Sequence, residues 1–161
     1  MTIRTRVGQG FDIHRFVEGP SDRVLVLGGV PFPDERPLAG HSDADVIAHA
    51  VADALLGAAA LGDIGMHFPD TDPQWEGAHS LMLLEHVASL VRGAGFEIGN
   101  VDCSVVCERP KIAPHREAMQ KLLSDAAGAP VTVKGRRAEG LGAIGREEGI
   151  ACWAVAIIGR T

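Results

Sequence analysis

Residues 42–61, SDADVIAHAVADALLGAAAL, constrain the fold most, because this stretch has the apolar spacing of a long helix. Ser42 is a good N-cap residue, and Asp45 follows three residues later, as in a capping box. One stripe of the helix is polar, since Asp45, His49 and Asp53 are spaced four residues apart. We expect His49 at the edge of a buried face. A lone histidine there is more often hydrogen-bonded in a core than bound to a metal.

The segment GFDIHRF, residues 10–16, offers partners for His49. It has the pattern of a strand, in which side chains alternate, so Asp12 and His14 project from the same face. Surface polarity and a hydrogen-bonded core pair are alternative interpretations. Together with His49, however, they form a three-ligand set for Zn²⁺ or, in second place, Fe²⁺. Structural zinc sites normally have four protein ligands, so an open position indicates catalysis or ligand binding.

The rest of the chain mixes predicted strands with predicted helices. Strand patterns cover residues 6–14, 23–30, 96–108, 131–135 and 149–158, and further helical patterns cover residues 79–95 and 114–128. The Gly-, Pro- and Asp-rich residues 62–78 form a loop too long for a simple connector. We expect an α+β sandwich, a sheet with helices on one face, in a single domain spanning residues 1–161.

Composition excludes several classes of protein. The formal net charge is −6 and no stretch is rich in Lys and Arg, which argues against a nucleic-acid surface. No apolar run approaches the roughly 18 residues of a membrane span. Cys103, Cys107 and Cys152 include no CxxC pair, which is typical of buried thiols in a reducing compartment. We expect a cytoplasmic protein with neither a nucleic-acid nor a membrane partner.

A second polar cluster favours a phosphate ligand. His41 and Ser42 stand at the predicted helix N-terminus, where free N–H groups and the helix dipole attract anions. Asp63, Asp70 and Asp72 follow in the long loop, where carboxylates suit sugar hydroxyls or a second divalent cation. The alternative is that these aspartates only form turns, a fair interpretation of Asp72, which precedes a proline.

Four segments carry a resemblance to a known family. They are GFDIHRF at residues 10–16, HSDADVIAHAVADALLGAAALGDIGMHFPDTDP at 41–73, GNVDCSVVCERPKIAPH at 99–115 and GREEGIA at 145–151. From about Val7 to Ile158 the chain resembles the 2-C-methyl-D-erythritol 2,4-cyclodiphosphate synthases of the non-mevalonate pathway to isoprenoids. The resemblance implies a homotrimer of ferredoxin-like α+β subunits with active sites between neighbours. It also implies cyclisation of 4-diphosphocytidyl-2-C-methyl-D-erythritol 2-phosphate with release of CMP.

The resemblance implies metal and catalytic roles for individual residues. Asp12, His14 and His49 match the family's Zn²⁺ ligands. Glu139 matches the carboxylate that binds a second divalent cation, Mg²⁺ or Mn²⁺, at the substrate diphosphate. His41 matches a position assigned to transition-state stabilisation.

Substrate contacts are implied for a phosphate loop, a methylerythritol loop, a cytidine segment and the segment around Glu139. The residues are Asp12, His14, His41, Ser42, Asp63, Ile64, Gly65, Phe68, Pro69, Asp70, Thr71, Asp72, Cys107, Glu108, Arg109, Pro110, Lys111, Ile112, Ala113, Arg136, Arg137, Ala138, Glu139, Ala143 and Arg146. Arg146 also matches a residue at the trimer axis, near a cavity proposed to hold isoprenoid diphosphates.

One segment departs from the family pattern. Members commonly carry a Thr-rich run before the metal-binding glutamate, whereas Arg136, Arg137 and Ala138 stand here. Arg137 occupies a position assigned to transition-state stabilisation. Two alternatives therefore stay open: a related metal-dependent phosphotransferase or phosphohydrolase, and a trimeric isoprenoid-binding module without activity. The complete set of ligand, loop and glutamate positions favours the synthase, since a scaffold would not need them all.

Overall fold

The computed structural model describes residues 4–160. The strands are β1 (Arg4–Arg15), β2 (Leu25–Leu27), β3 (Val30–Phe32), β4 (Glu97–Val106), β5 (Val131–Arg136) and β6 (Gly149–Arg160). The helices are α1 (Val46–Ala59), α2 (Ile64–His67), α3 (Ser80–Gly93), α4 (Arg116–Ala127) and α5 (Gly142–Gly145), with 3₁₀ turns at Pro73–Trp75 and Ala113–His115.

The main sheet has the strand order β1-β6-β4-β5. Strand β6 is antiparallel to both β1 and β4, whereas β5 is parallel to β4 and reached through the crossover helix α4. Side chains alternate along β6: Ala154 and Ala156 are buried under the helices, while Trp153 and Val155 are exposed on the opposite face. The predicted α+β sandwich, with helices on one face of the sheet, is confirmed.

The connectivity of the layers differs from the predicted ferredoxin-like arrangement. Leaving aside the hairpin β2–β3 and the short helices α2 and α5, and counting α1 and α3 as one helical connection, the chain order is βαβαββ, whereas a ferredoxin-like subunit follows βαββαβ. The last strand, β6, lies between β1 and β4, whereas the last strand of a ferredoxin-like sheet lies at an edge, beside the first strand. Hydrophobic alternation predicts that a strand exists, but the order of strands depends on contacts between distant parts of the chain.

Helix α1 lies directly against strand β1, because two glycines let the backbones touch. A Cβ atom on Gly8 would lie 2.0 Å from the carbonyl oxygen of Ala54, and one on Gly10 would lie 2.0 Å from that of Ala50. No side chain can enter between these elements without moving one of them. The close contact brings the end of β1 beside the first turns of α1.

A buried carboxylate caps helix α1. Asp45, which is fully buried, is the N-cap residue, and its Oδ1 accepts hydrogen bonds from the N–H groups of Ile47 (3.1 Å) and Ala48 (3.2 Å). Burial and the nearby Asp43 carboxylate raise the pKa of Asp45 to about 6, against the lowering effect of its N–H donors. The predicted cap at Ser42 is therefore wrong by three residues, because Asp45 holds the free N–H groups itself.

The predicted strand over residues 23–30 is a hairpin instead. Gly28 (φ 57°) and Gly29 (φ 78°) adopt left-handed backbone conformations, which form the turn between β2 and β3. Two consecutive positive φ angles are typical of the tight turns that suit a two-residue hairpin. The same Asp45 carboxylate accepts the N–H groups of both glycines, at 2.8 and 2.7 Å.

The remaining differences concern short elements. The predicted loop over residues 62–78 contains helix α2 and a 3₁₀ turn, and α5 lies in a stretch with no predicted helix. Such elements are too short to show a helical period. The three cysteines are buried and free, as predicted. Within residues 4–160, no helix has both the length and the apolar character needed to cross a membrane.

We predict that Asp45→Ala lowers the free energy of unfolding by about 3 kcal/mol, because the helix loses its cap and buried N–H groups lose their acceptor. Urea denaturation of the metal-free protein measures this change. Asp125→Ala is the matched control, since that carboxylate is exposed and pairs only with Lys121 on the same helix; its loss costs less than about 0.5 kcal/mol. A cost below about 1 kcal/mol for Asp45→Ala would contradict the capping role.

Candidate metal centre and substrate cavities

Strand β1 and helix α1 bring three predicted ligands together. Oδ2 of Asp12 lies 2.9 Å from Nε2 of His14 and 3.0 Å from Nδ1 of His49, and these two nitrogens are 3.3 Å apart. A tetrahedral zinc ion with bonds of about 2.0–2.1 Å holds its ligand atoms about 3.3 Å apart. The three side chains therefore have the identity and the spacing to hold a divalent metal ion.

Hydrogen bonds from outside the cluster fix the orientation of both histidine rings. Nδ1 of His14 donates to the carbonyl oxygen of Ala39 at 2.8 Å, which leaves Nε2 facing the cluster. Nε2 of His49 lies 2.8 Å from Oγ of Ser80 and 3.1 Å from Oγ of Ser42, which leaves Nδ1 facing the cluster. Each ring thus directs one nitrogen to the cluster and uses the other for support, as metal-binding histidines do.

The charges of the three ligands stabilise one another. Burial alone raises the pKa of Asp12, but the hydrogen bonds and positive charges of His14 and His49 outweigh burial and hold this pKa well below its usual range. Burial lowers the pKa of His14, and the Asp12 carboxylate outweighs it and raises that pKa above its ordinary value. Without a metal, the cluster is a hydrogen-bonded network centred on the Asp12 carboxylate.

The metal cluster opens into a cavity of about 270 Å³. Besides the three ligands, the cavity is lined by predicted phosphate-loop and sugar-loop residues, namely His41, Ser42, Ile64, Gly65, Phe68 and Asp70, together with Gly40, Trp75 and Leu83. The apolar members close one side, since the rings of Phe68 and Trp75 meet edge to face with centroids 5.0 Å apart. The structure therefore brings together two groups of residues that were predicted separately.

The predicted nucleotide segment forms a second cavity of about 220 Å³. It is lined by Cys107, Glu108, Pro110, Lys111, Ile112, Ala113, Arg116, Gly135, Arg136 and Arg137. Its four basic side chains face a single carboxylate, Glu108, so the cavity suits an anionic ligand. Burial, with the charges of Glu108 and Glu35, raises the pKa of the Cys107 thiol to about 12, so this thiol is not a nucleophile near neutral pH.

The other predicted site residues lie outside both cavities. Asp63 and Asp72 accept backbone N–H groups at the starts of α2 and the first 3₁₀ turn, so they act as caps in this chain. The remaining ones are Pro69, Thr71, Arg109, Ala138, Glu139, Ala143 and Arg146. Ala143 lines a third cavity, of about 370 Å³, with Ile13 and Ile144. Within residues 4–160, Glu139 joins no group of three metal-binding side chains.

The predicted use of a helix N-terminus for phosphate binding needs a correction. Helix α1 begins at Val46, and the Asp45 carboxylate already accepts the N–H groups of Ile47 and Ala48. A phosphate group would meet a carboxylate there, not free donors. His41 and Ser42 still line the metal cavity, so their side chains are the groups available to a phosphate.

Three acidic or hydroxyl side chains near the site were not predicted as site residues from the sequence. Asp43 and Ser80 bond to each other next to His49. Asp53, from the polar stripe of α1, accepts the N–H of Ile64 at 3.2 Å and so anchors the start of α2. Its pKa is raised by burial. The four-residue spacing of His49 and Asp53 places both side chains on one face of α1, and this was the sequence signal that Asp53 lies near the site.

Fold and site together define a class of protein: a mixed α+β protein with an Asp-His-His cluster that could hold a metal ion and that opens on one side to a cavity of small-ligand size. Comparison with known proteins gives the family. The YgbB family model matches residues 5–159, so the chain belongs to the YgbB family.

Named relatives and solved structures agree with this family. The chain is 53% identical over 156 residues to 2-C-methyl-D-erythritol 2,4-cyclodiphosphate synthase of Trichlorobacter lovleyi, covering 95% of this chain and 98% of the relative. It is 53% identical over 161 residues to the synthase of the same name from Nostoc sp., covering 98% and 96%.

Two solved structures share the fold. IspF of Plasmodium falciparum in complex with CDP has a TM-score of 0.84 and 33% identity, over 98% of this chain and 97% of that one. The bifunctional IspDF of Campylobacter jejuni has a TM-score of 0.92 and 39% identity, over 99% of this chain. This chain spans 43% of that longer protein.

We predict that His49→Ala lowers zinc affinity at least 100-fold, because a two-ligand site remains, while the circular dichroism spectrum stays native. Zinc per chain after dialysis, measured by atomic emission, checks this result. His115→Ala is the matched control, since that ring lies outside the cluster, against Phe32. Full zinc occupancy in His49→Ala would rule out the assigned ligand set.

Proposed function

We propose that this protein cyclises 4-diphosphocytidyl-2-C-methyl-D-erythritol 2-phosphate to 2-C-methyl-D-erythritol 2,4-cyclodiphosphate and releases CMP. The protein is then a phosphorus–oxygen lyase of isoprenoid precursor biosynthesis, as the names of its relatives indicate. The observation that carries the proposal is the metal cluster of Asp12, His14 and His49, which opens into a cavity lined by the predicted sugar-loop residues.

The reaction asks for positioning and charge neutralisation more than for a base. The attacking group is the substrate's own 2-phosphate, which is largely dianionic near pH 7 because its second pKa is about 6. A divalent metal held by Asp12, His14 and His49, Zn²⁺ by the donor set, supplies positive charge to phosphate oxygens. The protein's own task is to hold the 2-phosphate in line with the β-phosphorus, in a cavity closed on one side by Phe68 and Trp75.

We assign His41 to contact with the reacting phosphates. Nε2 of His41 donates to the carbonyl oxygen of Asp72 at 2.9 Å, which ties the ring to the loop after α2. Nδ1 is the nitrogen left for substrate, and it donates to a phosphate oxygen in the imidazolium form. Ser42, buried beside it, adds a hydroxyl group on the same wall of the cavity.

A second cation, Mg²⁺ or Mn²⁺, is proposed at Glu139 with the substrate diphosphate. Support comes from the backbone, since Glu139 has φ 55°, a left-handed conformation that is costly for a residue other than glycine. Such costly conformations cluster at functional sites. Because Glu139 joins no cluster of protein ligands among the described residues, the substrate's own oxygens would complete this cation's coordination.

We further propose a homotrimer with active sites between subunits. The metal cavity and the nucleotide cavity share no lining residue, yet one substrate carries both a methylerythritol and a cytidine group. The nucleotide cavity of a neighbouring subunit then completes the site. An apolar surface fits this assembly: Val7, Phe11, Ile13, Trp153, Val155 and Ile157 are all exposed on the free face of β1 and β6. Exposed apolar patches of this kind mark interaction surfaces.

The third cavity fits the proposed isoprenoid diphosphate ligand at the trimer axis. Its lining includes three apolar residues, Ile13, Ala143 and Ile144. Arg146, which follows closely in sequence, offers a cation for the phosphate groups, and its Nη2 lies 2.8 Å from Oε2 of Glu148. We also propose that residues 1–161 act as one domain and that the enzyme works in the cytoplasm.

The proposed activity is tested by incubating the protein with the diphosphocytidyl substrate, Zn²⁺ and Mg²⁺. We predict that ³¹P NMR shows CMP and a cyclic diphosphate in equal amounts. A chelator should stop the reaction, and added Zn²⁺ should restore it. Formation of CMP with a linear phosphate product would identify a phosphohydrolase instead, and an intact substrate would contradict both activities.

The proposed assembly predicts a particle of about 51 kDa, three chains of 16.9 kDa each, in light scattering. Val155→Asp should dissociate it, because a charge would be buried against the neighbouring subunit. Lys121→Asp, on the exposed side of α4, is the matched control and should leave the trimer intact. A wild-type monomer with full activity would refute the shared site.

The proposed catalytic role of Arg137 predicts a specific kinetic change. A guanidinium beside a diphosphate offers a fixed charge and several donors, so it can replace a family hydroxyl. Arg137 lines the nucleotide cavity. If it stabilises the transition state, Arg137→Ala lowers kcat and kcat/KM together by about 10-fold or more, whereas loss of nucleotide binding alone raises KM. Unchanged kcat and KM would show that Arg137 has neither role.

A further inference from the structure

Asp43, which is half-buried, and Ser80, which is buried, are in contact directly behind the metal cluster. Ser80 is 1% exposed and stands at the start of α3, whereas Asp43 lies in the loop before α1. The hydroxyl of Ser80 donates a hydrogen bond to Oδ1 of Asp43, and the backbone N–H of Ser80 donates to Oδ2 at 3.0 Å. The same Ser80 Oγ lies 2.8 Å from Nε2 of His49.

The direction of these hydrogen bonds determines which nitrogen of His49 carries a proton. An ionised carboxylate only accepts, so the single proton of the Ser80 hydroxyl is committed to Asp43. Ser80 Oγ then presents only lone pairs to His49, so it can accept a hydrogen bond from that ring but cannot donate one. Nε2 of His49 therefore carries a proton, and Nδ1, which lies 3.0 Å from the Asp12 carboxylate, is the nitrogen left to give up any proton and bind a metal.

We propose that Asp43 and Ser80 are positioning residues for the metal centre, which hold His49 protonated at Nε2 and so keep Nδ1 free to bind the metal. The proposal rests on the metal centre described above and deepens it. Without the carboxylate, the hydroxyl of Ser80 could rotate and donate to Nε2, and His49 would then carry its proton on the atom that must coordinate the metal.

The two histidine ligands differ in how they are supported. Nδ1 of His14 donates to the backbone carbonyl of Ala39. The direction of this hydrogen bond cannot be reversed, because a carbonyl has no proton to donate. His49 instead depends on a hydroxyl group, which donates or accepts according to its neighbour. The Asp43 carboxylate removes that ambiguity for Ser80. Oγ of Ser42, at 3.1 Å from Nε2 of His49, is a weaker second acceptor.

The test compares Asp43→Asn and Ser80→Ala with the wild type. In Asp43→Asn, the amide of the new side chain can donate to Ser80 Oγ, which turns the serine proton toward Nε2 of His49. In Ser80→Ala, Nε2 of His49 keeps only the more distant Ser42. Ser124→Ala is the matched control, since Ser124 is likewise a hydrogen-bonded helix serine, whose Oγ accepts the N–H of Val131 at 2.9 Å, but it lies on α4 and not beside His49.

Two measurements decide the outcome: zinc affinity by competition with a chromophoric chelator, and the Nε2–H resonance of His49 in the zinc-loaded, ¹⁵N-histidine-labelled protein. We expect zinc affinity to fall about 10-fold or more in Asp43→Asn and Ser80→Ala, as for other residues that support a metal ligand. We also expect the Nε2–H proton, protected in the wild type, to exchange with solvent in both variants. Ser124→Ala should match the wild type in both measurements.

Several results would overturn the proposal. Zinc affinities within about twofold of the wild type, with the Nε2–H resonance still protected, would show that Asp43 and Ser80 only pack. If Asp43→Asn fails to fold, Ser80→Ala decides alone. A wild type that binds zinc but does not cyclise the substrate would refute the proposed function. The zinc affinities of the variants would then still decide this inference. A wild type that binds no zinc would refute both.

Discussion

The carboxylate of Asp45 is the interaction on which the rest of this structure depends. It accepts four backbone N–H groups, two from the first turn of α1 and two from the Gly28–Gly29 turn. One side chain therefore caps the central helix and ties it to the β2–β3 hairpin. Because α1 carries His49, the position of a metal ligand follows from this cap. A carboxylate buried so completely persists only when its acceptor capacity is used in this way.

The cluster of candidate metal ligands could be predicted from the sequence because local geometry determines where these side chains point. Strand alternation places Asp12 and His14 on one face, and a helical period places His49 at the edge of α1. The structure has all three within hydrogen-bond distance of one another. The predicted helices and main-sheet strands are found with shifted ends for the same reason. Assignments of single residues to the substrate stay predictions, since they concern a ligand.

The features that sequence reasoning missed depend on contacts between distant residues. Ser42 and Asp45 are both good caps, and only the distant Gly28–Gly29 turn selects Asp45. Asp43 and Ser80 are 37 residues apart, so no local period connects them. The predicted ferredoxin-like strand order was wrong for a related reason, because β6 pairs with both β1 and β4, and these pairings join distant parts of the chain.

The contact of Gly8 and Gly10 with α1 has a consequence for the choice of metal ion. Two backbones in direct contact cannot adjust their separation as side-chain packing can, so the distance between β1 and α1 is fixed. Asp12 lies on β1 and His49 lies on α1. The distance between these two ligands, and with it the size of ion that fits, therefore depends on glycines that do not contact the ion. To change the size of ion that the site accepts, one would substitute these glycines before the ligands.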